Sequence, residues 1–235
     1  GPPCQGFSLT GPRNIDDPRN KLYLSVFKTL KLTNPKAFVV ENVRGLKTMW
    51  DGNVFKEIIK KFESAGYIVT ESLLNSADYG VPQIRHRVFI VGIKKELNKK
   101  FEFPKPEFDK DNYITCGEAI DNLPSLENGE LKSINYNEKP TTNFQRYVMD
   151  CNKLYNHEAT LHKQFVKDTI ALVPEGGNYK DLPKGVGDSR KFNEAWTRYH
   201  SQKPSRTIDT GHRNHFHYKW NRVPTIRENA RLQSF

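Results

Sequence analysis

Four side chains in this sequence have the types and settings that chemistry needs: the thiol of Cys4, the carboxylate of Glu41 and the guanidinium groups of Arg85 and Arg87. Cys4 stands in the octamer Gly1-Pro2-Pro3-Cys4-Gln5-Gly6-Phe7-Ser8. Pro3 fixes φ, has no N–H for a ladder or a helix, and pushes Pro2 toward an extended backbone. The octamer reads as a stiff loop that presents one thiol. Structural cysteines are common and usually buried, so the loop alone does not choose between a nucleophile and a core filler. Glu41 follows the apolar run Ala37-Phe38-Val39-Val40, which fits a strand buried on both faces. Sites in open α/β sheets form at the carboxyl ends of strands, and Glu41-Asn42 falls at such an end. A solvated carboxylate is the alternative. Arg85 and Arg87 precede a second apolar run, Val88-Phe89-Ile90-Val91. If that strand's alternation continues backward, Gln83, Arg85 and Arg87 share one face. Adjacent guanidiniums repel unless an anion or a polarised carbonyl lies near, so the pair fits such a ligand. A solvated basic edge is the other possibility.

The surrounding pattern predicts the elements that hold these groups. Asp17-Pro18 reads as a helix start, with Asp17 as N-cap and Pro18 in the first turn. Leu22, Val26, Phe27 and Leu30 then recur at helical spacing, and the helix should stop near Asn34-Pro35. Val54, Ile58, Ile59 and Phe62 mark a second helix closing near Gly66. Tyr67 to Leu74 reads as a strand, and residues 75–82 as a loop punctuated by Gly80 and Pro82. Residues 94–112 are charged and irregular. A short helix is expected around Cys116 to Asn122, and residues 125–150 are polar with little periodicity. Residues 174–187 read as loop. This stretch is expected to be a weak core former and a DNA-facing module. His157, His162, His212, His215 and His217 match no standard metal-site spacing; they read as core or surface histidines, within a basic, hydrogen-bonding strand and loop that includes Arg206. Thr225-Ile226-Arg227-Glu228 is a capping box that starts a final helix.

The totals agree with a soluble α/β protein that meets a polyanion. The 235 residues suit one large domain or one and a half smaller ones. An excess of 37 Lys+Arg over 27 Asp+Glu leaves a net charge of +10, which fits nucleic acid or merely a soluble basic protein. No apolar run approaches the roughly 18 residues of a membrane span. Cys4, Cys116 and Cys151 are far apart and form no CxxC pair, so a reducing, cytoplasmic setting is expected.

Four blocks stand in order: Gly1-Pro2-Pro3-Cys4-Gln5, Glu41-Asn42-Val43, Gln83-x-Arg85-x-Arg87, and Arg222-x-x-Thr225-x-Arg227-Glu228-x-Ala230-Arg231-Leu232-Gln233. Together they resemble the DNA (cytosine-5) methyltransferases, the bacterial restriction-modification type in particular. The resemblance implies a partial Rossmann-like methyltransferase sheet, made of the C-terminal strands of a catalytic domain, plus a small irregular target-recognition domain. On that pattern residues 1–95 are catalytic, 96–204 form the linker and recognition region, and 205–235 close that region and return toward the catalytic domain. Cys4 looks like the nucleophile that adds to cytosine C6, and Glu41 like the acid at ring N3. Arg85 and Arg87 look like the pair that orders the catalytic loop and holds the cytosine O2. Pro3 and Leu22 fall where the family meets S-adenosylmethionine. Gln5, Ser8, Thr10, Arg19, Gln83 and Arg206 fall where it meets double-stranded DNA.

The resemblance also implies the chemistry. Cytosine C5 is a poor nucleophile until a thiolate adds to C6, and the carbon is reached only when the base is flipped out of the duplex. The family's glycine-rich cofactor loop, which precedes the Pro-Cys loop, is not found in these residues, and its last block would follow Phe235. The expectation is a chain that alone binds S-adenosylmethionine poorly and does not turn over, because it is a truncated piece of a longer chain, one half of a split enzyme, or the product of a permuted gene. Tight cofactor binding in calorimetry would overturn that. Two alternatives stay open: a non-catalytic DNA-binding subunit, and a tRNA cytosine-5 methyltransferase, although the Cys-Phe-Thr tripeptide of the tRNA-acting relatives is absent.

Overall fold

In the computed structural model of the chain, the described residues are 23–127, 132–136, 138–149, 151–188, 195–209 and 214–235. The chain forms two compact units. One takes the chain up to Asn75 and again His86–Lys105; the other takes Ser76–Arg85 and Pro106–Phe235.

The first unit is a small mixed α/β layer. Its elements are α1 (Tyr23–Thr33), β1 (Ala37–Val43), α2 (Gly45–Thr48), α3 (Asn53–Ser64), β2 (Tyr67–Asn75) and β3 (His86–Lys94). α1 stops where the pattern predicts: Asn34 takes a φ of 43°, its amide closes on the Leu30 carbonyl, and Pro35 follows. α3 buries Phe55, Ile58 and Phe62, a single face at helical spacing. It ends at Gly66, whose φ of 88° is left-handed and whose amide caps Glu63.

The sheet has the order β1-β3-β2, with β3 antiparallel to both neighbours. The short connection between β2 and β3 can only make an antiparallel pair, whereas β1 reaches β2 through helices. Phe38 sits directly opposite Gly92, and a Cβ there would fall 2.1 Å from the Phe38 ring. The glycine admits that ring, which packs on Phe62 and Tyr67 at 4.8 and 5.0 Å between centroids.

β1 departs from expectation. It is not buried on both faces: Val40 and Asn42 point into the core, while Val39 is 65% exposed and Ala37 and Glu41 are also exposed. The apolar run reads as doubly buried because four apolar residues in a row hide the alternation. The strand also continues through Asn42 to Val43, so Glu41 lies within it and not beyond its end.

The second unit contains α4 (Cys116–Ile120), α5 (Asn143–Val148), α6 (Gln164–Ala171), β4 (Thr197–Arg198), β5 (His215–Phe216) and α7 (Ile226–Arg231). β4 and β5 pair in parallel. This region is a better core former than its composition predicts. One cluster joins Cys116, Ile120, Phe144, Leu154, Tyr199 and Leu232, and another joins Ile170, Val173, Phe216 and Val223. Their members lie far apart in sequence, so no local periodicity announces them. Arg198 is buried and its Nη1 donates to the carbonyls of Ile170 and Val173, closing the end of α6. Thr225 caps α7 with Glu228 in the capping box that the sequence predicts.

Candidate active site

The exposed face of the first unit's sheet brings two predicted site residues together. Glu41 lies opposite Phe89 and Arg87 opposite Val43. The two are therefore diagonal neighbours on one face, within reach of long side chains. Arg87 Nε stands 2.9 Å from Glu41 Oε1, while its Nη1 donates to the His86 carbonyl at 2.8 Å. A partly exposed pair is worth only about 0–1 kcal/mol. Its consequence is orientation, since it aims a carboxylate and a guanidinium outward from the same patch.

Arg85 and Gln83 do not extend β3, which begins at His86. They belong to the second unit, in the stretch 82–85. Gln83 makes an isolated parallel bridge with Ser205, and the Ile84 amide donates to the Ser205 carbonyl at 2.8 Å. The shared face expected for Gln83, Arg85 and Arg87 is thus not formed as a strand. Proline at 82 and hydroxyl groups bonded to the backbone take this stretch out of the ladder. Gln83 is 1% exposed with its Nε2 unpartnered, whereas Arg85 is half-buried and Arg206 is exposed. Cys4, Pro3, Gln5, Ser8, Thr10, Arg19 and Leu22 lie outside the described residues.

The other two cysteines have different settings. Cys116 is fully buried, and burial pushes its thiol far up, away from a reactive thiolate. Cys151 is exposed, with Sγ 3.1 Å from the Lys153 carbonyl oxygen.

The histidines of the second unit bind backbone and neighbours. His157 Nε2 lies 2.7 Å from the Pro124 carbonyl, which only accepts, so Nε2 carries the proton and Nδ1 accepts from the Thr225 hydroxyl at 3.0 Å. His217 Nδ1 accepts from the amides of Lys219 and Trp220. Among the described residues no group of three or more His, Cys, Asp and Glu could hold a metal ion. A cavity in the first unit, between Tyr23, Val40, Asn42 and Phe62, measures about 10 Å³. That is room for about one water and not for a nucleoside. No described helix is long and apolar enough to cross a membrane.

Burial holds His217 well below the ordinary histidine value, at about 4; Glu228 opposes this, while Arg222, Arg198 and Lys219 add to it. The depressed value means that between pH 6.5 and 4 the unfolded chain takes up a proton that the fold does not. The contribution is fully present above pH 6.5 and is lost on acidification. The melting temperature is expected to fall across that window, by a stability loss of about 3 kcal/mol. His217→Gln, which keeps an acceptor for the two amides, should flatten the fall; an unchanged slope in thermal melts would contradict it.

The missed features are the hydroxyl groups of Ser76, Ser205 and Thr207, which bind the stretch 82–85. Pro82 beside polar residues was the available signal, because it marks backbone outside a ladder.

The family described as C-5 cytosine-specific DNA methylase matches residues 1–235. Type II methyltransferase M1.HphI of Haemophilus parahaemolyticus is 39% identical over 242 residues, covering all of this chain and 58% of its own length. Type II methyltransferase M.DdeI of Desulfomicrobium norvegicum is 36% identical over 253 residues, covering all of this chain and 61% of its own. The chain thus spans about three-fifths of these relatives. An E. coli prophage protein, provisionally assigned as a DNA modification methyltransferase, superposes with a TM-score of 0.71 at 24% identity, over 99% of this chain and 66% of that one, a likeness of fold.

Proposed function

Because the chain belongs to the C-5 cytosine-specific DNA methylase family, we propose that it acts in transferring a methyl group to C5 of a flipped-out cytosine in a specific DNA sequence. The observation that carries this reading is the Glu41–Arg87 pair on an open sheet face, two groups of opposite charge held at 2.9 Å and directed outward. S-adenosylmethionine would supply the methyl group. The residues assigned to its contact, Pro3 and Leu22, are outside the described residues.

The chain's own groups prepare the base. The Cys4 thiolate forms a bond to C6, and the electron pair of the C5–C6 double bond makes C5 nucleophilic. Charge that would develop on N3 and O2 is met by a proton that Glu41 carries or shares with N3, in place of its ionised pairing with Arg87, and by Arg85 and Arg87 at O2. After methylation water takes the C5 proton, the C–H electron pair re-forms the C5–C6 double bond, and the Cys4 sulfur leaves with its bonding pair as thiolate. Arg206, Arg19, Gln5, Ser8, Thr10 and Gln83 are assigned to the DNA. The net charge of +10 favours phosphate contacts and a steep loss of binding with salt.

A duplex carrying 5-fluorocytosine tests the reading. The fluorine cannot leave as a proton does, so the adduct is trapped once the methyl group has been added. The protein in its cofactor-competent form, incubated with this duplex and S-adenosylmethionine, is expected to give a denaturation-resistant complex whose peptide map places the link at Cys4. An adduct at Cys151, or specific DNA retention with neither adduct nor methyl transfer, would overturn it, the latter in favour of a DNA-binding subunit.

A further inference from the structure

The stretch 82–85 lies outside any ladder, yet its carbonyls are taken. The Pro82 oxygen accepts from the Ser205 amide and hydroxyl, each at 3.0 Å. The Gln83 oxygen accepts from the Ser76 hydroxyl at 2.7 Å, and the Ile84 oxygen from the Thr207 hydroxyl at 3.0 Å. The Arg85 oxygen accepts from the Ser76 amide at 3.0 Å. Backbone without a sheet partner must find other donors when it is withdrawn from water, and here side-chain hydroxyls supply most of them. Two of the three come from a segment 123 residues downstream, the one that also carries exposed Arg206.

We infer that Ser76, Ser205 and Thr207 are positioning residues for Arg85, their hydroxyls setting the backbone register from which that arginine is presented. The inference rests on the methyltransferase reading, in which Arg85 meets the catalytic loop and the cytosine O2. The segment that offers Arg206 to DNA then also frames the catalytic arginine, so target contact and catalytic geometry share three residues. A group that acts only through Arg85 affects the chemical step more than DNA binding.

The test compares Thr207→Val, which keeps the β-branched shape without the hydroxyl, with Thr207→Ser, which keeps the hydroxyl, and with Ser76→Ala. The readouts are kcat and KM for duplex DNA, and hydrogen exchange of the Ile84 amide. Displacement by a fraction of an ångström is expected to lower kcat about tenfold in Thr207→Val and Ser76→Ala with KM within about twofold. Thr207→Ser should restore kcat, and the Ile84 amide should exchange faster in the two impaired variants. Arg206→Ala should behave oppositely, raising KM and reducing the salt slope by about one, with Ile84 exchange unchanged. Wild-type kcat with wild-type exchange in both impaired variants would sink the inference, as would a Thr207→Ser variant no better than Thr207→Val. If the unaltered protein in its cofactor-competent form methylates no cytosine, it is the methyltransferase reading that fails, and the exchange rates alone decide whether the hydroxyls hold the stretch.

Discussion

Cys4→Ser is expected to abolish both methyl transfer and covalent trapping on 5-fluorocytosine duplexes, while DNA is still retained. The bond to C6 needs a nucleophile that is ionised or nearly so. A free cysteine thiol has a pKa of about 8.5 and already holds a few per cent thiolate at neutral pH; a serine hydroxyl does not ionise in that range. The other cysteines set the contrast. Cys116 is sealed in a core and its thiol is held up by burial, so it cannot stand in. Cys151 is exposed, and Cys151→Ser should transfer methyl groups as the unaltered protein does. Glu41→Gln keeps the shape of the side chain but loses the acid, and is expected to slow transfer by about 10²–10⁴-fold. It also removes the carboxylate 2.9 Å from Arg87 Nε. Single-turnover methylation separates these cases from effects on binding. Full activity in Cys4→Ser would remove the nucleophile assignment altogether.

Glu228→Ala is expected to destabilise the second unit by about 3–5 kcal/mol. Glu228 and Arg222 are 2% and 3% exposed and face each other in a two-pronged pair, both N–O distances 2.8 Å. Glu228 also accepts from the Thr225 amide at 2.7 Å, and Arg222 reaches Glu127 and the Ser125 carbonyl. Burial alone would raise the Glu228 carboxyl, but His217 and Arg222 hold it down at about 2. Its stabilising contribution is therefore present above the ordinary carboxylate value and is lost only as pH falls toward 2. Removing the carboxylate leaves a guanidinium buried with one partly exposed partner, Glu127, and removes the far side of the α7 cap. The double variant Arg222→Met/Glu228→Leu removes both charges and should recover much of the loss, because the desolvation cost goes with them. Chemical denaturation checks the pair of values. A double variant as unstable as Glu228→Ala would show that the cap and not the charge carries the effect.

The family and several local elements were legible in the sequence. Types and order of Cys4, Glu41, Arg85 and Arg87 were enough to bring in the family, and the comparisons bear that membership out. The helix stop at Asn34, the glycine at 66 and the Thr225–Glu228 capping box are local signals, set by backbone preferences within a few residues, and each was realised. Alternation across β1 is hidden because Ala37, Phe38, Val39 and Val40 are all apolar, and the packing of α1, α2 and α3 shows which face is covered.

The amino-acid sequence by itself determined the chemistry available to this protein and the local turns and caps, since both depend on side-chain type and on neighbours along the chain. Tertiary structure alone decided what was close to what. It paired Glu41 with Arg87 across two strands, because antiparallel register places them diagonally on one face. It took Gln83 and Arg85 off the strand, and tied the neighbouring Pro82 and Ile84 carbonyls to hydroxyls 123 residues away, because carbonyls without a ladder must be met by whatever donor the fold brings near. It buried Arg222 against Glu228 and built a core from residues as distant as Cys116 and Leu232. Contacts of that range follow from how chain segments pack, and no periodicity along the sequence encodes them.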